Sequence, residues 1–248
     1  MGSEDRWAQE GAELRERVAV ACRVLAMEGH TDITQGHVSA RHPGTPYYWI
    51  KASGLGLDEV TPDDVVLVDL DGNKVWGSGR PHTELPIHAE IYRARSDVMA
   101  VVHTHPPYAT ALAASHVPLR PVSHEGTLFW PEIPRYTFTT DLVRTREQGE
   151  ALARALGSAR ACLMRNHGIV TVGSSVEEAA LFALQLERAA KLQILAACLG
   201  PYEWTPEAEV AQKAAHLHSP RQLERNWGYY VRKLQRWERG WVQPALPG

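Results

Sequence analysis

The chain is poor in cysteine, with three in 248 residues: Cys22, Cys162 and Cys198. The count is odd and no CxxC occurs, which argues against a disulfide framework and for a reducing compartment. Long apolar runs are missing as well. No stretch approaches the roughly 18 uncharged apolar residues of a membrane span, and the opening "MGSEDRWAQEGAELRER" has none of the apolar core of a signal peptide. Nor is there a basic excess. Lys and Arg total 26 against 29 Asp and Glu, a formal charge of −3, and no basic stripe suited to nucleic acid stands out. The locally basic "RKLQRWERGW" reads as a solvated helix face. Repeats and low-complexity segments are absent. What is left is a soluble, cytoplasmic globular protein with no nucleic-acid or membrane partner. Its 44% hydrophobic content is enough for one full core, so residues 1–248 read as one domain with a helical tail from about 203 to 248.

Periodicity supplies the elements that are present. "AELRERVAVACRVLAMEG", 12–29, repeats Leu14, Val18, Ala21, Cys22 and Leu25 at helical spacing, with Gly29 where a C-terminal cap belongs. "HVSARHPGTPYYWIKAS" predicts two strands around a Pro/Gly turn, and "VVLVDLDGNKVWG" a hairpin turning at Asp71-Gly72. Helices are predicted over 86–95, over "YATALAAS", over 149–158 and, longest, over 175–200, where Ser175 can cap the N-terminus. "VMAVVHTH", 98–105, reads as a buried strand, and "ACLMRNHGIVTVGSS" as a strand pair broken at Asn166-His167-Gly168. The order of elements predicts a mixed α/β layer architecture without doubly wound βαβ regularity.

The end of the 98–105 strand delivers two histidines, His103 and His105. Residues i and i+2 of a strand share a face, so both imidazoles can converge on one point. Neutral imidazole is a common metal ligand, but an HxH pair alone is equally a polar strand face. His167, between a strand-like run and a glycine, is a third candidate ligand or simply a loop histidine. A catalytic metal site commonly uses three protein ligands and leaves a position open. Glu84, just ahead of a helix, can act as a first-turn charge. It can also act as a general acid/base, or a displaceable ligand, beside a metal.

Together, "GRPHTELPIHAEIYRARSDVMAVVHTHPPYATAL" and, some sixty residues on, "RNHGIVTVG" resemble the class II aldolase and adducin head-domain family over about residues 12–200. The resemblance implies a three-layer α/β/α fold around a central, mostly antiparallel sheet. It implies three metal-binding histidines, here His103, His105 and His167, and a catalytic glutamate, here Glu84. It also implies a divalent ion, zinc or manganese with iron or cobalt as alternatives, and a homotetramer with active sites near subunit interfaces.

Sugar-phosphate members of that family seat the phosphate in "GN[VI]S", "[ST]G" and "[KR]PSSE" segments. Here the corresponding stretches read "GHVSAR", "ASGL" and "RPHTE". His37 stands in place of the asparagine and His82 in place of the first serine, while Thr34, Ser53, Gly54 and Thr83 keep hydroxyl and backbone donors. Two imidazoles can pair with a carboxylate or phenolate, so a small anionic substrate such as a hydroxylated carboxylate is expected. The stretch 122–136 adds His124 as a substrate contact. Phe129, Trp130 and Tyr136 there could offer aromatic surface near the metal or serve simply as core. In the tail, Tyr229 and Tyr230, with Trp227 and Arg232 nearby, are expected to close over a neighbouring subunit's site and donate protons. The resemblance implies a metal-dependent carbon–carbon lyase acting through an enolate or enediolate. Decarboxylation of a hydroxylated carboxylate, aromatic ones included, is favoured over aldol cleavage of a sugar-like substrate. An iron-dependent oxygenase and a non-catalytic adducin-like module are the further alternatives.

Overall fold

A computed structural model describes residues 3–241. Helix α1 spans Ser3–Glu10 and α2 spans Ala12–Met27. The spacing of α2 puts Val18, Ala21, Cys22 and Leu25 at zero exposure, and Gly29 follows at φ +92°, a left-handed conformation that glycine adopts without a Cβ clash. Strands β1 (His37–Arg41) and β2 (Tyr47–Lys51) are the expected antiparallel pair. β3 (Val65–Asp69) and β4 (Lys74–Trp76) form the hairpin, with Gly72 at φ +88° in its turn. Then come α3 (Leu85–Ala94), β5 (Ala100–Thr104), α4 (Pro107–Ala114) and the two-residue β6 (Arg135–Tyr136). The chain continues through α5 (Arg146–Leu156), β7 (Ala161–Met164), β8 (Gly168–Gly173) and α6 (Val176–Cys198). Two further helices, α7 (Glu207–Leu217) and α8 (Pro220–Glu238), make up the helical tail, of which 242–248 lie outside the described residues. Ser175 caps α6, its side chain accepting from the Glu178 N–H.

The strands form one sheet in the order β4-β3-β2-β1-β5-β8-β7-β6. Every pairing is antiparallel except β6 with β7. Alternate residues of each strand face opposite sides. Val38, Ala40, Trp49, Leu67, Val102 and Ile169 join one apolar cluster with α2, α4 and α6. Tyr48, Ile50, Val66, Val101, Val170 and Val172 join a second, with α3 and α5. Two apolar faces covered by helices are the α/β/α arrangement expected, and with both faces covered the strands read as near-continuous apolar runs.

Register is what positions the site. His37 of β1 lies directly opposite His103 of β5, and Ser39 opposite Val101. His103 in turn pairs with Val170 of β8. The short β7–β8 turn, 165–167, is therefore carried to the end of β5, with Asn166 at φ +53°. Strand β5 stops at Thr104, so His105 lies just past its end rather than on it.

Candidate metal centre

Glu84 immediately precedes α3, yet its carboxylate makes no capping hydrogen bond to that helix. It accepts instead from the Val143 N–H at 2.8 Å, across the fold, and is 3% exposed. Burial pushes its carboxyl up to about 7, with the Val143 hydrogen bond and nearby Arg144 opposing. Around it stand three imidazoles: His37 Nε2 at 3.7 Å and His103 Nε2 at 3.8 Å from Oε2, and His167 Nε2 at 3.6 Å from Oε1.

His103, His105 and His167 present ligand atoms all within 4.8 Å of one another. Their orientation bears on the chemistry more than their proximity. His103 Nδ1 lies 3.0 Å from the Ile169 carbonyl oxygen, and His105 Nδ1 lies 2.9 Å from Asp32 Oδ2. Both partners can only accept, so each Nδ1 carries the imidazole proton and each Nε2 presents a lone pair. Those two Nε2 atoms face each other at 3.0 Å. Two lone pairs at that distance repel unless a cation lies between them. His167 has both ring nitrogens buried and unpartnered. Burial lowers all three pKa values, His167 to about 4, and so favours the neutral, ligating form. The donor set fits a divalent ion held by three imidazoles with an open position.

Gly168 lets the turn close. A Cβ there would lie 2.5 Å from the Thr104 carbonyl oxygen and against the His105 ring. The resulting mouth is a cavity of about 640 Å³ lined by Asp32, His105, Pro107, Asp141, Asn166 and His167. A second cavity, of about 310 Å³, is lined by His82, Thr83, Glu90, Arg93, Arg144 and Asp71. Thr83, next to Glu84 in sequence, lines this cavity, and His167, 3.6 Å from the Glu84 carboxylate, lines the other.

The expected anion-binding residues divide. His37 is 1% exposed, so it is no surface replacement, and its ring lies 4.5 Å from that of His82. Beside them is Lys51, a residue that patterning passed over as part of an apolar strand. Its ammonium, buried at the end of β2, reaches the Thr34 carbonyl and His82 Nε2, both at 3.3 Å. Desolvation lowers both the Lys51 and the His82 pKa, the latter to about 4, with Lys51 adding repulsion. Ser53, Gly54 and Thr83 are exposed at the rim, and Thr34 is half-buried. A lysine between Ile50 and Ala52 was the signal available, since lysine is rarely fully buried without a task.

Other expected residues lie elsewhere. His124 is exposed at the start of a 3₁₀ turn over Glu125–Phe129 and is not among the residues lining the cavity at His105. Phe129 belongs to the core beside α6, and Trp130 lines a separate cavity with Arg160. Tyr136 does lie close enough to Glu84 for the two charges to register, with its hydroxyl buried and unpartnered. Tyr230 lines a cavity with Glu28, His30, Tyr108 and Lys191 of its own chain, and Tyr229 is 49% exposed.

Residues 16–194 match the Class II Aldolase and Adducin N-terminal domain. The chain belongs to the class II aldolase and adducin family. It is 34% identical over 215 residues to a 3,4-dihydroxyphthalate decarboxylase of Arthrobacter keyseri, covering 81% of this chain and 86% of that enzyme. It is 30% identical over 200 residues to a 5-deoxy-D-ribulose 1-phosphate aldolase of Bacillus thuringiensis, covering 81% and 93% respectively. An aldolase II superfamily protein from Pseudomonas syringae superposes with a TM-score of 0.84 at 31% identity, over 94% of this chain and 96% of the other. The chain is therefore a lyase of the class II aldolase superfamily, with decarboxylases and aldolases among its relatives. No helix among the described residues is long and apolar enough to cross a membrane.

Proposed function

We propose that this lyase decarboxylates a hydroxylated aromatic carboxylate. The observation that supports this reading is the nitrogen cluster beside His103. Where small amide and hydroxyl residues would receive a phosphate, His37, His82 and buried Lys51 offer a cluster of nitrogen donors suited to carboxylate and phenolate oxygens. The likeness to a dihydroxyphthalate decarboxylase points the same way.

In this reading His103, His105 and His167 hold a divalent ion, zinc or manganese by preference with iron or cobalt as alternatives. When bound, that ion supplies Lewis-acid stabilisation of the negative charge that develops on the substrate oxygens. Lys51 and His82 bind the carboxylate, and His37 orients it. Glu84, held by Val143, is the acid/base of the site. As the bond to the carboxylate carbon breaks and carbon dioxide leaves, the electron pair stays on the ring carbon and Glu84 delivers its proton there. Water then reprotonates Glu84. The whole of 1–248 acts as one catalytic unit, in the cytoplasm and as a homotetramer in which Tyr229 and Tyr230 meet a neighbouring copy's site.

Aldol cleavage is the second reading, favoured by the retained hydroxyls of Thr34, Ser53 and Thr83 and by the likeness to a sugar-phosphate aldolase. Incubating zinc- and manganese-loaded protein with 3,4-dihydroxyphthalate, and separately with 5-deoxyribulose 1-phosphate, separates the two. Carbon dioxide release from the first with no aldehyde from the second is expected. Aldehyde from the second alone overturns the decarboxylase reading.

A further inference from the structure

A buried hydrogen-bonded chain runs from the second core up to the site. The Tyr92 hydroxyl lies 2.7 Å from Ser39 Oγ, which lies 2.6 Å from His88 Nδ1, and His88 Nε2 lies 2.7 Å from His37 Nδ1. All four side chains are at most 2% exposed. His37 Nε2 ends the series, with no hydrogen-bond partner and with Glu84 Oε2 3.7 Å away. The local causes are simple. Alternation puts His37 and Ser39 on one face of β1, and His88 and Tyr92 are four apart on α3, hence on one helix face.

Each neutral imidazole carries one N–H, so the chain can run in only two senses. At the closed end, the Tyr92 proton has Ser39 Oγ as an acceptor within reach. Once Tyr92 donates there, His88 Nδ1 is the partner in reach of the Ser39 proton, and donation to it leaves no hydroxyl proton of the chain unpaired. His88 then carries its proton on Nε2 and donates to His37 Nδ1. That leaves the His37 proton on Nε2, aimed past Glu84 into the site. The opposite sense takes Ser39 away from the Tyr92 proton, leaving that buried hydroxyl without its acceptor. Burial acts in support, holding His88 neutral and the Tyr92 hydroxyl protonated.

We propose that Ser39, His88 and Tyr92 are positioning residues that fix His37 as an Nε2–H donor for a carboxylate oxygen of the substrate. The identity of that oxygen rests on the decarboxylase reading; the tautomer does not. The site thereby presents a neutral donor of fixed direction, which costs less reorganisation on binding than a ring free to exchange tautomers.

Long-range ¹H–¹⁵N correlation spectra of protein labelled with ¹⁵N-histidine, zinc-loaded and substrate-free, read the tautomers directly. His37 is expected as Nε2–H in the wild type and as a mixture in Ser39→Ala and Tyr92→Phe. His37 as Nδ1–H in the wild type overturns the proposal, whatever the protein turns over. With 3,4-dihydroxyphthalate, Ser39→Ala is expected to raise KM about tenfold with kcat within about twofold, as for loss of binding shared by ground and transition states. Ser39→Thr, which keeps the hydroxyl, is expected to keep the wild-type KM. In a His37→Phe background the Ser39→Ala change is expected to add nothing further. An equal rise in that background would make Ser39 merely structural and overturn the relay. If the protein does not turn over this substrate, the functional reading fails and the spectra still decide the tautomer.

Discussion

Asp32 Oδ2 lies 2.9 Å from His105 Nδ1, joining residues 73 positions apart. The carboxylate fixes the ring's tautomer and direction and raises the basicity of the opposite nitrogen. Asp32 is half-exposed, so the pair contributes to orientation more than to stability. Asp32→Ala is expected to weaken metal binding by about 10- to 100-fold, in line with other carboxylate supports of ligand histidines. Competition against a chromophoric chelator measures it. An unchanged affinity would mean that Ile169 and the turn around Gly168 alone hold the triad.

Glu84→Gln keeps an oxygen for the Val143 N–H and removes the exchangeable proton. Turnover is expected to fall by about 10²- to 10⁴-fold, the usual worth of a positioned acid/base. Elemental analysis is expected to find the same metal content as in the wild type. Parallel loss of metal would recast Glu84 as a ligand, and full turnover would remove its acid/base role.

Much of this was legible in the sequence. The 3.6-residue periodicity of α2 marked that helix, because it hides an apolar face that only one geometry can bury, and the Pro/Gly turn between two strand-like runs marked β1 and β2. The three histidines and Glu84 were legible because ordered motifs survive in one dimension. Lys51 was not, because its burial depends on packing by strands on either side and on His82, which lies 31 residues away. His88 and Ser39 escaped for the same reason. A histidine on an apolar helix face reads as an ordinary core residue until the register of β1 sets Ser39 beside it. The aromatic stretch 122–136 stayed open between site and core, since composition cannot tell a ring that lines a site from one that, like Phe129, faces α6.

Gly168→Ala tests how tightly the β7–β8 turn is held. The added methyl meets the Thr104 carbonyl and the His105 ring, and the backbone atom cannot move aside without disturbing β5. A loss of about 1–3 kcal/mol is expected from overpacking, read from the urea midpoint at constant slope. Metal content is expected to drop as well, because the displaced groups are His105 and its neighbour. A stable variant with a full complement of metal would show the turn to be more yielding than its packing implies.

The pH dependence of stability follows from the same burial. His30 and His88 are held neutral, each with its pKa lowered from 6.5 to about 3 by desolvation. Between those values the unfolded chain binds protons that the folded chain refuses. Stability is therefore complete above about 6.5 and declines as pH falls through that window, by up to about 1.4 kcal/mol per pH unit for each histidine. His82, His167 and His218, lowered to about 4, act in the same sense. Glu84 acts in the opposite sense between about 7 and 4.5, because its folded pKa is the higher one. Glu187, its carboxyl also raised by burial, acts with Glu84; two carboxyls oppose several imidazoles, so the net effect is loss in acid. Urea unfolding of chelator-treated protein at a series of pH values from about 7.5 to 5 is expected to show that decline, and His30→Asn to make it shallower. A flat profile would mean that water reaches these rings and that their burial is incomplete.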